Sequence, residues 1–204
     1  MSRASKVVLG LIVLTGAGAA VALKLFLDHG VSARDQPTAA EAFVARRLRH
    51  LAVPRDKRRA QNPVPSTPGA LERGRAHFAD HCASCHGNDG RGKTAVGQNL
   101  YPKAPEMTLP DTQSLSDGEL FYIIENGVRL TGMPAWGSPG PEDDEETWEL
   151  VHFIRHLPKI TAEELAQMES LNPKSPMEMA EQEEMRKFLE GGAPETAAPS
   201  AHKH

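Results

Sequence analysis

The chain's two cysteines sit in one short run, Cys82-Ala83-Ser84-Cys85-His86. Thiols three positions apart lie about one helical turn from each other, where both can add across the two vinyl groups of one haem. The next residue then sets its imidazole beneath the iron. The run therefore reads as a covalent c-type haem site, with Cys82 and Cys85 as attachment points and His86 as an iron ligand. A structural zinc site needs a second pair of ligands, and there is no further cysteine to provide it. A thioredoxin-like dithiol asks for a βαβ setting and has no use for His86.

Iron held by one imidazole needs a sixth ligand or an open face. Met133, in Thr131-Gly132-Met133-Pro134-Ala135-Trp136, is placed to give one: it follows His86 by 47 residues, in a loop between two helices. A thioether is soft, favours ferrous iron and raises the potential relative to two histidines. Met107, in a proline-rich loop, is the alternative. Met168, Met177, Met179 and Met185 lie on acidic stretches and read as surface or packing residues. The expected cofactor is thus one covalent haem c on Cys82, Cys85, His86 and Met133, with His86 and Met133 binding the metal. Closed axial positions leave no place for a substrate. The expected chemistry is single-electron transfer, with no catalytic residue and no enzyme activity of the chain's own. A haem peroxidase would need an open iron position with acid/base groups beside it, or a second haem motif; a gas sensor would need an output domain. None of these is visible.

The elements around the site read as helices. Leu71 to Ala83 has helical spacing through Leu71, Phe78 and Cys82. Ser116-Asp117-Gly118-Glu119 is a capping box opening a helix that stops at Gly127. Asp143 or Asp144 starts another, which carries Trp148, Val151, Ile154 and Leu157 and closes at Pro158. Two more capping boxes, at Thr161 and Ser175, open short helices near 162–170 and 176–190, the second ended by Gly191-Gly192; residues 193–204 read as a disordered tail. No strand-like alternation appears, so the expected fold class is all-α.

Residues 70–158 resemble a bacterial class I cytochrome c domain. The resemblance rests on Gly74, Phe78, Cys82-x-x-Cys85-His86-Gly87, Asp89-Gly90-x-Gly92, Gly132-Met133-Pro134-x-Trp136 and Trp148-x-x-Val151-x-x-Ile154. It implies a small all-α fold around one covalent haem, in which the first and last helices cross beside the cofactor. Gly74 and Phe78 would meet the Trp148, Val151 and Phe153 region there. The family often has Gly-Pro-x-Leu after the haem motif, where the proline carbonyl accepts the histidine Nδ1 proton. Here that stretch is Gly97-Gln98-Asn99-Leu100, so the carbonyl of Gln98, Pro102 or Pro105 takes the role. Trp136, Tyr101 and Arg129 are candidates for haem propionates or for packing. His77 and His81, and His152 and His156 on the last helix, read as surface residues.

Outside this domain the chain changes character. Residues 7–23 carry no charge, Lys24 can snorkel, and Leu25-Phe26-Leu27 continues, so 1–27 reads as a transmembrane anchor of about 20 apolar residues. A cleaved secretory signal is the alternative, with a shorter apolar region as its usual mark. Arg3 and Lys6 hold the N-terminus inside, which puts the haem domain on the periplasmic side of a bacterial inner membrane. The resemblance implies the same, since this haem is attached outside that membrane. Residues 28–69 comprise an amphipathic helix over 37–53 and a basic, proline-rich tether. The helix suits acidic lipid headgroups, or packing on the haem domain or on a partner subunit. Formal charge runs +3, +4, −7 and −4 over 1–27, 28–68, 69–158 and 159–204. The acidic haem segment suits a basic redox partner, and nothing suits nucleic acid. The patterned extensions, including 159–204, favour a subunit of a larger respiratory or photosynthetic membrane complex over a tethered shuttle.

Overall fold

The computed structural model describes residues 2–30, 32–137, 145–174 and 176–189. Four expectations lie outside them: the cap at Asp143 or Asp144, the box opening at Ser175, the stop at Gly191-Gly192 and the tail 193–204. Among the described residues every regular element is helical. α1 (Arg3–His29) is uncharged from Val7 to Leu23 and long enough to cross a membrane. α2 (Ala39–Ala52) opens on a reciprocal Thr38/Glu41 capping box, and α3 (Arg55–Arg58) is a single turn after Pro54. The domain itself begins with α4 (Pro68–His77), a wider π-helical turn over Phe78–Cys82, and α5 (Ala83–His86). It continues through α6 (Pro110–Gln113), α7 (Asp117–Asn126) and α8 (Glu145–His156), and α9 (Ala162–Glu169) and α10 (Pro176–Leu189) follow.

The first and last helices of the domain cross at Gly74. A Cβ placed there would stand 2.2 Å from the Glu149 carbonyl oxygen, so only glycine lets α4 and α8 touch backbone to backbone. Phe78 and Phe153 meet just below the crossing, ring centroids 5.1 Å apart, and both are fully buried. Each contributes roughly 2–3 kcal/mol of apolar burial. Trp148 stacks on Phe121 from α7 at 4.1 Å. Arg73 and the buried Glu149 pair beside the crossing. Arg155 ties α8 to the α6–α7 corner through Asp117 Oδ1 at 2.9 Å and the Gln113 carbonyl at 2.8 Å.

The segment after α2, expected as an extended tether, lies along the domain instead. Val53 is buried. Arg46 reaches Asp111 at 3.4 Å, and His50 Nδ1 lies 2.7 Å from Glu119 Oε1. Ser116 Oγ donates to the Arg58 carbonyl at 2.7 Å, and Asn62 donates to the Trp148 carbonyl at 2.8 Å. Gly118 leaves room for this chain, since a Cβ there would collide with the Lys57 carbonyl oxygen. Residues 39–64 therefore form a strap from the loop at Tyr101, which bonds Glu41, across to the last helix. The histidines of α8 are not a solvated face either. His152 Nε2 sits 2.8 Å from the Val64 carbonyl in the strap, and His156 Nε2 lies 2.9 Å from Glu164 in α9. Met168, expected at the surface or in packing, is fully buried and anchors α9 to the core.

Candidate haem site

The haem motif occupies the end of the first domain helix. The π-helical turn Phe78–Cys82 widens the backbone just ahead of the motif, and α5 carries Cys82's partner and His86 on the following turn. The helix stops because Gly87 takes φ +73, a conformation that suits glycine, while its N–H still closes on the Ala83 carbonyl at 2.8 Å. A tight loop then folds back on the motif. The Gly92 N–H donates to the His86 carbonyl at 2.6 Å, and Thr94 Oγ1 donates to the Cys85 carbonyl at 3.0 Å. Gly97 packs so closely that a Cβ would lie 2.2 Å from the Cys85 carbonyl oxygen. This close approach explains the glycine of the Gly97-Gln98-Asn99-Leu100 stretch. Gln98 uses its side chain to hold the loop, Nε2 donating to the Gly92 carbonyl at 2.7 Å.

The chemistry of the side chains fits a haem. Cys82 and Cys85 are not joined to each other, and both are half-buried. Burial, with Cys85 beside it, pushes the Cys82 thiol up to about 12. His86 is only 8% exposed, and its Nδ1 is buried with no hydrogen-bond partner. Burial draws the imidazole down to about 4, opposed by the Pro105 carbonyl. The ring is thus neutral at neutral pH, the form that ligates iron. Of the three carbonyls offered for Nδ1, Pro105 is the one that acts on the ring, although no well-formed bond is made to it. An orphaned ring nitrogen in a dry site costs free energy, and a ring held by iron on one nitrogen and by a carbonyl on the other would have no such cost.

The loop bearing Met133 is pinned to the end of α7. The Trp136 N–H donates to the Ile124 carbonyl at 3.1 Å, and the Gly137 N–H donates to the Glu125 carbonyl at 3.1 Å. The Met133 N–H donates to Thr131 Oγ1 at 3.1 Å, and its carbonyl accepts from the Val128 N–H at 3.2 Å. Gly127, at φ +63, allows the loop to lie against it: a Cβ would meet the backbone of residues 133–135 at about 2.6–2.7 Å. Two contacts bring this loop to the haem motif. Trp136 stands edge-on to His81, centroids 5.4 Å apart, and Gly132 lies against the Leu100 side chain. Met133 is half-buried and packs on the core. Met107 belongs to the motif's own side: its N–H donates to the Gly90 carbonyl at 2.7 Å, and the residue is buried in the core. Trp136 and Tyr101 both have protein partners, His81 and Glu41, while Arg129 is exposed.

Sequence reasoning missed the roles of Phe121, Asn62 and Leu100. Leu100 stood in the Gly97-Gln98-Asn99-Leu100 stretch, but Phe121 and Asn62 carry no motif signal, and each role is defined by a partner distant in sequence.

Residues 69–154 match the family described as cytochrome c oxidase, cbb3-type, subunit III. Among curated proteins, the chain is 38% identical over 96 residues to a cbb3-type cytochrome c oxidase subunit FixPc of Rhizobium leguminosarum, covering 46% of this chain and 30% of that protein. It is 52% identical over 75 residues to a subunit FixP of Sinorhizobium medicae, covering 36% of this chain and 23% of that one. A FixP of Rhizobium meliloti is 39% identical over the same length. The chain thus spans less than a third of these relatives. Together with the helix crossing at Gly74 and the turn that carries Cys82, Cys85 and His86, the match shows that this part of the chain is a class I cytochrome c domain, set behind an apolar helix fit to anchor it in a membrane.

Proposed function

We propose that the chain passes single electrons through one haem c, attached at Cys82 and Cys85 and ligated by His86 and Met133, as a fixed subunit of a membrane oxidase complex of the cbb3 type. The observation that carries the reading is the buried imidazole of His86, its Nδ1 making no hydrogen bond, one turn beyond Cys82 and beside Cys85, with the Met133 loop hung near it through Trp136 and Leu100. A bound haem supplies a one-electron couple that needs no substrate at the metal. The protein's own residues keep that couple in a fixed, dry setting. Gly97 and Gly92 clamp the motif backbone, Thr131 and Gly127 hold the methionine loop, and the α4–α8 crossing makes one wall. Rigid ligands favour outer-sphere transfer because little has to move.

Docking of the strap supports the fixed subunit over the tethered shuttle. Only residues 30–38 remain between α1 and a helix that already grips the domain. The reading places the chain in a bacterial inner membrane with the haem domain on the periplasmic side. Two measurements test it. Haem should stay with the polypeptide through acid-acetone extraction. The oxidised protein should show the weak far-red band of sulfur-to-iron ligation, lost in Met133→Ala and kept in Met107→Ala. Extraction of intact haem would overturn the attachment, and the opposite pattern of the two methionines would overturn the ligand. In mild detergent the haem should migrate with a larger oxidase complex; migration as a lone chain would refute the fixed subunit.

A further inference from the structure

α2 has two faces, and the haem domain uses one of them. Arg46 and His50, both still half exposed, reach Asp111 and Glu119, and the half-buried Arg49 lies near the same two carboxylates. On the opposite side Phe43, Val44, Leu48 and Leu51 are 55%, 51%, 61% and 71% exposed. Their spacing makes a single stripe on a helix. Arg47 lies within it, its guanidinium 5.3 Å above the Phe43 ring. Contiguous large apolar side chains on a helix whose polar face is already engaged mark a docking surface.

Two features of the chain select the occupant. The first is position. α1 ends nine residues before α2 begins, and nine residues reach at most roughly 30 Å. The second is charge. Residues 39–60 carry seven Lys and Arg against two Asp and Glu, and with Arg46 and Arg49 turned to Asp111 and Glu119 five cations remain: Arg47, Arg55, Lys57, Arg58 and Arg59. Arg55, Lys57 and Arg59 are exposed. A short helix with an apolar stripe, an arginine inside it and cations at its end matches an interfacial helix on anionic lipid.

We propose that α2 lies in the headgroup plane of an anionic leaflet, apolar stripe toward the acyl chains, and that the strap thereby holds the haem domain in one orientation on the membrane. This rests on the reading of α1 as a membrane span.

The test uses the full-length holoprotein, reconstituted in vesicles of phosphatidylcholine with or without phosphatidylglycerol, with a specific protease site placed between α1 and α2. The intact chain should resist carbonate extraction, which reports on α1 alone; if it is extracted, the span fails and the proposal falls with it. After cleavage, haem absorbance is followed in pellet and supernatant. The haem domain should stay on the anionic vesicles and leave the neutral ones, with roughly a tenfold difference in bound over free. The triple variant Phe43→Ser, Leu48→Ser, Leu51→Ser should release it from both, its haem spectrum and helicity unchanged because these side chains are exposed. Complete release from anionic vesicles on cleavage, or retention indifferent to the triple variant, would overturn the proposal and turn the stripe over to a protein partner.

Discussion

Replacing Gly74 by alanine should unfold the domain more easily than any other single methyl added to α4. The new carbon would stand 2.2 Å from the Glu149 carbonyl oxygen, 2.6 Å from its carbon and 3.2 Å from the Leu150 nitrogen. An ordinary carbon–oxygen contact is about 3.3 Å, so α4 and α8 must part by about 1 Å. That shift would loosen Phe78 against Phe153 and draw Arg73 from Glu149. Overpacking of this kind costs about 2–4 kcal/mol once rigid backbone is the neighbour. The better helix propensity of alanine returns about 1 kcal/mol of it, leaving a net loss of about 1–3 kcal/mol. Gly69→Ala is the control in the same helix. Its Cβ would meet only the end of the flexible Arg73 side chain, at 3.5 Å, so it should be neutral or stabilising by up to about 1 kcal/mol. Urea unfolding of the holoprotein in detergent, followed by haem absorbance and far-UV circular dichroism, reads both. Equal midpoints for the two variants, with unchanged slopes, would show that the helices do not touch at Gly74 and refute the crossing.

Three further outcomes follow from single residues. Burial raises the Glu119 carboxyl, but the Ser116 N–H and His50 outweigh it, and the group sits below its ordinary 4.5. Its stabilisation is therefore present above that value and lost as pH falls through the lower folded one; Glu119→Gln should cost about 1–2 kcal/mol at neutral pH and flatten the acid limb of a stability–pH curve below 4.5. Leu130 holds φ +63 at the loop tip, 92% exposed, so Leu130→Asn should raise stability by about 0.5–1 kcal/mol in a thermal melt. Met107→Ala, deep in the core, should cost about 2–4 kcal/mol in the same melt that leaves its far-red band in place.

What the sequence made legible was local. The haem motif, the Ser116 capping box and the glycine that ends α7 are each decided within a few residues, by thiol spacing and by backbone geometry. Gly74 was legible through resemblance, and its physical reason is a close approach to a residue 75 positions away. Packing of α2 on the haem domain was one of the readings its sequence allowed, but the docking of the segment after it was not legible: no periodicity in 54–69 names Ser116 or Trp148 as partners. His152 and His156 looked like a wet face for the same reason: their acceptors, Val64 and Glu164, come from extensions on either side of the domain. The carbonyl acting on His86 stayed ambiguous among three in the sequence; in the fold the Pro105 carbonyl raises the ring's affinity for its proton against the effect of burial.

The division of charge changes meaning once these pairings are known. An acidic haem domain with net −7 reads, from sequence, as a surface seeking a basic partner. In the fold several of those carboxylates already have one. Asp111 and Glu119 face Arg46 and His50 of the strap, Glu149 pairs with Arg73 and Asp117 with Arg155; beyond that segment, Glu164 lies against His156. Two of these pairs clamp the segment after α1 onto the haem domain, and the others lie within the domain or join it to α9. Charges paired in this way steer a diffusing partner less than free ones, because opposite fields at short range cancel at long range. A carrier that must find its partner by diffusion gains from exposed, unpaired charge. A domain fixed in a complex, as proposed, would have less need of it, since its partner would be held nearby. Electron transfer from this haem domain should accordingly depend only weakly on ionic strength. A steep fall in rate with added salt would restore the shuttle.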